Sequence, residues 1–285
     1  MNILVFGKTG QVAMELQRRA PDARYLGRAD ADLTDPEKCA ALITDISPDL
    51  VINAAAYTAV DKAEDDVDTA RLVNGTTPGA IANACAQGQI PFVHVSTDYV
   101  FDGSGSDRWQ VGDETGPLGV YGQTKREGEE LVLAAGGASA ILRTSWVFSS
   151  HGNNFVKTML RLSESRDALN IVDDQIGGPT PAGDIAAALL EIGTQLAAAP
   201  DKAGLYHFAG QPDTSWKGFA EEIFAQAGRQ VAVSGIPTSD YPTPARRPLN
   251  SRLDGSALEK AFGIATPDWK AGLARVLKEL EVTPS

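Results

Sequence analysis

The chain has 285 residues, of which 43% are hydrophobic and 22% charged, with a formal net charge of −12. That length suits one large α/β unit or a nucleotide-binding domain with a smaller partner, and the acidic balance argues against a nucleic-acid polymer while leaving room for a small anion held by a few cations or a helix N-terminus. No apolar run approaches the ~20 residues of a membrane span, the N-terminus lacks the basic start of a secretory leader, and two helix-borne cysteines, Cys39 and Cys85, suit a reducing cytoplasm.

Asn2–Phe6 reads as an apolar strand, followed by helical periodicity over Gly10–Ala20 through Val12, Leu16 and Ala20. Ala23–Leu26 is a second strand, and Asp35-Pro36 opens a helix with Asp as N-cap and Pro in the first turn. Asp49–Ala54 is a third strand, Asp68–Gly88 a helix and Pro91–Ser96 a fourth strand. Tyr121–Ala135 is helical and Ser139–Thr144 is a fifth strand. Strands joined by helical crossovers predict a doubly wound parallel sheet of the Rossmann type. Beyond about residue 145 the segments shorten and Pro and Gly interrupt them, with Leu205–Phe208 as a strand and Trp216–Ala227 as a helix. Residues 1–150 are assigned to an NAD(P)-binding domain, and 151–285 mainly to a smaller, interleaved α/β substrate domain whose later segments return to the first.

The turn Gly7-Lys8-Thr9-Gly10-Gln11-Val12-Ala13 lies between the first strand and the first helix. Glycines there let backbone N–H groups approach a pyrophosphate at the positive end of the helix. Arg28, just after the second strand, stands where a cofactor 2′-phosphate is met, and predicts NADPH in preference to NADH. Asp32 and Leu33 would border the adenine, and the small residues leading to Ala55, Ala56 and Tyr57 would lie along the ribose.

The fourth strand ends in Ser96-Thr97-Asp98, and such strand ends face the ligand cleft. Tyr121 and Lys125 are four apart on a helix and share a face. A phenol with pKa ~10 is a poor acid–base group near neutrality, and a neighbouring ammonium is expected to lower it. The pair predicts carbonyl reduction, with hydride from a nicotinamide, the proton from Tyr121, and Thr97 hydrogen-bonded to the same oxygen. Trp146 reads as a sugar-stacking or core residue, Arg246-Arg247 as a pyrophosphate grip or a surface pair, and Asn74 as structural. His94, His151 and His207 are far apart, no pair has metal-ligand spacing, and all three read as structural with no metal site.

The order Gly-x-x-Gly-x-x-Ala, Ser-Thr-Asp, Tyr-x-x-x-Lys resembles the extended short-chain dehydrogenases. The stretches Met1–Val12, Asn53–Glu64, Ser96–Phe101, Arg143–Phe148, Gly152–Met159, Asp174–Thr180, Tyr241–Pro248 and Asn250–Leu253 resemble, more narrowly, the dTDP-4-dehydrorhamnose reductases. That resemblance implies NADPH-dependent reduction of the 4-keto group of dTDP-6-deoxy-L-lyxo-4-hexulose to dTDP-L-rhamnose. It implies Thr97, Tyr121 and Lys125 as catalytic residues, and Gly10, Gln11, Val12, Asp32, Leu33, Ala55, Ala56 and Tyr57 around the cofactor. Thr97, Asp98 and Trp146 would hold the sugar, and Arg247 and Asn250 the diphosphate. Ala13 replaces the usual third glycine. Some members dimerise through magnesium held by glutamates; Glu15 is present, but the sequence does not place its partners, so a monomer or homodimer is expected. Two other readings share the resemblance: an epimerase or dehydratase with tightly bound NAD, and a regulatory subunit of the methionine adenosyltransferase type.

Overall fold

Four of the first-half strands, at 3–6, 50–53, 92–97 and 139–144, are buried on both faces, while Arg24–Leu26 at the sheet edge is partly exposed. The computed structural model describes residues 1–282. Its first half runs β1 (Ile3–Phe6), α1 (Gln11–Arg19), β2 (Arg24–Leu26), α2 (Pro36–Ile46), β3 (Leu50–Asn53), α3 (Val60–Ala63), α4 (Val67–Arg71), α5 (Thr77–Gln87), β4 (Phe92–Thr97), α6 (Val120–Ala134), β5 (Ser139–Thr144) and β6 (Val147–Phe148). Then follow α7 (Phe155–Ser163), β7 (Ala168–Val172), β8 (Ile176–Gly177), β9 (Thr180–Pro181), α8 (Ala182–Ala198), β10 (Gly204–His207), β11 (Thr214–Ser215), α9 (Trp216–Gln226), β12 (Ala232–Ile236), β13 (Asn250–Ser251), α10 (Ser256–Phe262) and α11 (Trp269–Glu279).

Six strands form one parallel sheet in the order β10-β5-β4-β3-β1-β2. The winding reverses between β1 and β3, and sheets of this kind hold ligands beyond the carboxyl ends at that point. One face is covered by α1 and α8, through Val12, Leu16, Ile185, Leu189 and Ile192. The other face carries a second core, with Ile43 of α2, Ile81 of α5 and Val132 of α6. A third core, around Phe219 and Trp269, joins α7, α9 and α11. Asp35 caps α2 as expected, its carboxylate accepting from Lys38 N–H at 3.1 Å with Pro36 in the first turn. No helix among the described residues is long and apolar enough to cross a membrane.

The segment read as one helix over Asp68–Gly88 is interrupted: a π turn at Leu72–Thr76 separates α4 from α5. The extra residue turns Asn74 toward the β3–α3 loop, where its amide grips Tyr57 N and O at 2.8 and 3.1 Å. Helical periodicity carries no signal for such an insertion, and π turns concentrate near functional sites.

Candidate active site

Gly7 ends β1 with φ +120, and a Cβ there would stand 3.2 Å from the Ala54 backbone and 3.3 Å from Ala55 N. Only glycine joins β1 to the following turn while lying against the end of β3. Gly10 precedes α1 without a side-chain cap, so the unpaired N–H groups of the first turn are available to an anion. Val12 is buried and Gln11 half-buried. Gln11 Oε1 accepts from Ser149 Oγ at 2.9 Å and Asn154 Nδ2 at 3.0 Å, tying the start of α1 to the segment after β6. Leu33 is buried, and Asp32 accepts from Thr34 and lies 3.3 Å from Arg28 Nε. The Arg28 side chain is 81% exposed. Ala55, Ala56 and Tyr57 are half-buried along the same edge.

Thr97 and Asp98 lie at the carboxyl end of β4, where Thr97 Oγ1 donates to Asp98 Oδ1 at 3.1 Å and accepts from Tyr99 N at 3.2 Å. Glu64 accepts from Val120 N–H at 2.9 Å and so caps α6. A Cβ on Gly122 would come within 2.1 Å of Tyr99 O, so the absence of a side chain lets α6 seat on the turn after β4. That seating brings Tyr121 edge-on to Tyr99, with ring centroids 5.5 Å apart, and close to Thr97. Burial pushes the Tyr121 phenol up to about 12, with the Asp98 charge adding to the rise and the Thr97 hydroxyl opposing it. The expected lowering by Lys125 is therefore corrected. The Lys125 ammonium lies under the sheet edge, 2.6 Å from Val95 O and 3.3 Å from His94 Nε2. Burial lowers Lys125 to about 8 against the pull of Glu129. Burial likewise raises Asp98 to about 6, opposed chiefly by polar neighbours that include Ser251 and Thr97, of which Thr97 Oγ1 donates to Asp98 Oδ1 while Asp98 Oδ2 is buried without a partner among the described residues. A phenol that keeps its proton at neutrality beside a hydroxyl and a buried amine is set up to donate that proton.

Trp146 follows β5 with φ +48, and its ring stacks on Trp216, with centroids 3.7 Å apart and planes 12° from parallel. Arg247 donates to Asp61 Oδ2 at 2.7 Å, which ties the C-terminal loop to α3. Asn250 is buried: its Nδ2 donates to Ser104 O and Asp107 O, and its Oδ1 accepts from Arg252 N and Nη1. Both hydrogens and both lone pairs of that amide are thus engaged by the protein, so Asn250 clamps the loop after β4, and its side chain has no donor left for a diphosphate. Periodicity gave no hint of Trp216 or Asp61, because each meets its partner from a distant element.

The fold brings His151 to Glu15 and Glu279, with candidate ligand atoms within 4.8 Å. Cations already meet both carboxylates. Glu15 is paired with Arg18 and Arg19, and Glu279 with Arg18 at 2.8 Å. Two guanidinium groups offset two carboxylates, so a magnesium ion does not fit there without displacing them.

The chain matches the family model described as the RmlD substrate binding domain over residues 1–282. It is 44% identical to a dTDP-4-dehydrorhamnose reductase of Sinorhizobium fredii, covering 97% of both chains. Among solved structures it is similar to a dTDP-4-dehydrorhamnose reductase of Clostridium acetobutylicum, with TM-score 0.92 and 36% identity over 99% of this chain and 100% of that one. It is also similar to a Bacillus anthracis dTDP-4-dehydrorhamnose reductase in complex with NADP, with TM-score 0.90 and 31% identity over 98% and 100%.

Proposed function

The chain belongs to the RmlD substrate binding domain family, and on that premise we propose that it is an NADPH-dependent dTDP-4-dehydrorhamnose reductase. Its substrate is the 4-keto sugar of dTDP-6-deoxy-L-lyxo-4-hexulose and its product dTDP-L-rhamnose. The observation that carries this reading is the seating of α6 on the turn after β4, which packs Tyr121 edge-on to Tyr99 beside the Thr97–Asp98 end of that strand, one helical turn from the buried Lys125. When bound, the nicotinamide supplies the hydride. The features that suit a dinucleotide are Gly7, the uncapped start of α1 beside Gly10, and the exposed Arg28, whose guanidinium matches a 2′-phosphate.

In this reading the Thr97 hydroxyl turns its one hydrogen from Asp98 to the carbonyl oxygen, the Tyr121 phenol holds the same oxygen, and Tyr121 gives it a proton as charge develops. Lys125 then offsets the phenolate. Asp98, Trp146 and Arg247 face the sugar nucleotide, with Asn250 supporting the wall behind them. Two buried, unpaired cysteines suit a cytoplasmic setting. The test is oxidation of NADPH by purified protein, compared with NADH, with and without the keto-sugar nucleotide. Turnover is expected only with the sugar nucleotide, faster with NADPH, and reduced ~10²–10⁴-fold in Tyr121→Phe. Stoichiometric NAD⁺ retained through purification, with no net oxidation of NADPH, would instead favour an epimerase or dehydratase.

A further inference from the structure

His94 is wholly buried in β4, and the reaction outlined above makes no use of it. Its surroundings fix its protons. Asn53 Oδ1 accepts from Ala55 N at 3.1 Å, which turns Asn53 Nδ2 toward His94 Nδ1 at 3.1 Å. An amide NH₂ only donates, so Nδ1 must accept. A neutral imidazole carries one hydrogen, and that hydrogen is left on Nε2, facing Lys125 Nζ at 3.3 Å. An ammonium at Lys125 would also have to donate to Nε2, leaving the ring with two acceptors and no hydrogen. The arrangement is satisfied when Nε2–H donates to the amine lone pair and Nζ donates to Val95 O at 2.6 Å.

We propose that His94 is a positioning residue that donates Nε2–H to Lys125, its tautomer being set from the far side by Asn53. The proposal rests on the reading of Lys125 as part of the catalytic site and deepens it. Charging Lys125 requires the ring hydrogen to move to Nδ1. Asn53 must then present its oxygen to His94 and release Ala55 N–H. The state of Lys125 is thereby linked to the backbone at Ala55, which the sequence places along the cofactor. The charged and titratable groups around this relay are Tyr121 and Glu129 from α6, Arg143 from β5, bound to Glu129, and Asp98 beyond β4. Burial and the neighbouring Lys125 hold the His94 imidazole in its neutral form, and burial lowers Lys125, both in keeping with a shared hydrogen.

Two substrate-free measurements test the relay. In ¹⁵N-histidine protein, long-range ¹H–¹⁵N correlation should show His94 as the Nε2–H tautomer above the Lys125 midpoint of about 8, where the amine is neutral; an Nδ1–H tautomer there overturns the proposal. In ¹³C-lysine protein, Asn53→Leu should switch His94 to Nδ1–H and raise the Lys125 titration midpoint by about one unit, the size of one hydrogen bond. The same change in a His94→Phe background should leave the midpoint in place. An equal shift in both backgrounds, or none in either, rejects a role through His94. Should these variants not fold, the wild-type tautomer still decides. If the relay is found but the sugar nucleotide is not turned over, the functional reading fails and the relay stands. If turnover is seen without the relay, the reverse holds.

Discussion

Lys125 and Arg143 are both buried cations between α6 and the sheet, and the molecule treats them in opposite ways. Arg143 is 3% exposed and meets Glu129 through two bonds, of 2.8 and 2.6 Å, with His207 at 3.3 Å and the Phe101 ring beneath its guanidinium. Lys125 is 2% exposed, and its hydrogen-bonding partners are a carbonyl and an imidazole, neither of them charged. A buried cation with its own carboxylate has a fixed charge and serves the fold. One held by neutral partners changes charge within the working pH range, which is what acid–base chemistry requires.

The largest expected effect separates the two outright. Glu129→Gln leaves the Arg143 charge buried without a counter-ion and should lower unfolding stability by about 3–5 kcal/mol in urea titration. Lys125→Met removes a cation that lacks a carboxylate and should cost less than about 1 kcal/mol in the same titration, while abolishing most turnover. Equal stability losses in the two variants would erase the distinction.

Half of this contrast is legible in the sequence and half is not. Tyr121 and Lys125 are a local helical spacing, and Gly7, Gly10 and Arg28 follow the first two strands at short range, so pattern reading finds them. The alternation of apolar strands and helices likewise yields the parallel sheet. Arg143 is read only as part of a strand, because its meaning comes from Glu129 on a helix and His207 on β10. The same holds for Trp146, whose stacking partner Trp216 opens α9, and for His151 beside Glu15 and Glu279. Periodicity assigns an element and a face, whereas which two faces meet is decided by packing of distant segments. Asn250 shows the converse: the resemblance marked the position, but the fold commits its amide to a loop.

The two cations should also part company with pH. Lys125 holds its proton to about 8 in the folded chain, against an ordinary value of 10.5. Between those values the unfolded chain binds more protons, so this group makes stability rise with pH, from about 8 upward. The full rise is about 3 kcal/mol by linkage. Burial raises Cys39 and Cys85 from 9.0 to about 11 and about 12, and such groups make stability fall as pH climbs past 9.0. The measurement is therefore a difference, wild type minus Lys125→Met, followed by urea midpoint across the alkaline range. A flat difference would mean that Lys125 keeps its charge in the folded protein.

Arg143→Lys asks whether burial or pairing decides. The substitution keeps the charge and the burial but loses the planar fork that meets Glu129 with two bonds, so stability should fall by about 1–2 kcal/mol. A lysine at this position still faces the Glu129 carboxylate, and an opposite charge at contact favours the ammonium. Its proton should then be held as firmly in the folded chain as in the unfolded one, and stability should run parallel to wild type across the alkaline range, offset by a constant. If burial alone lowered a lysine in this layer, the variant would instead regain stability with rising pH, as Lys125 is expected to do. Parallel curves would place the difference between the two cations in Glu129, a single carboxylate one helical turn beyond Lys125.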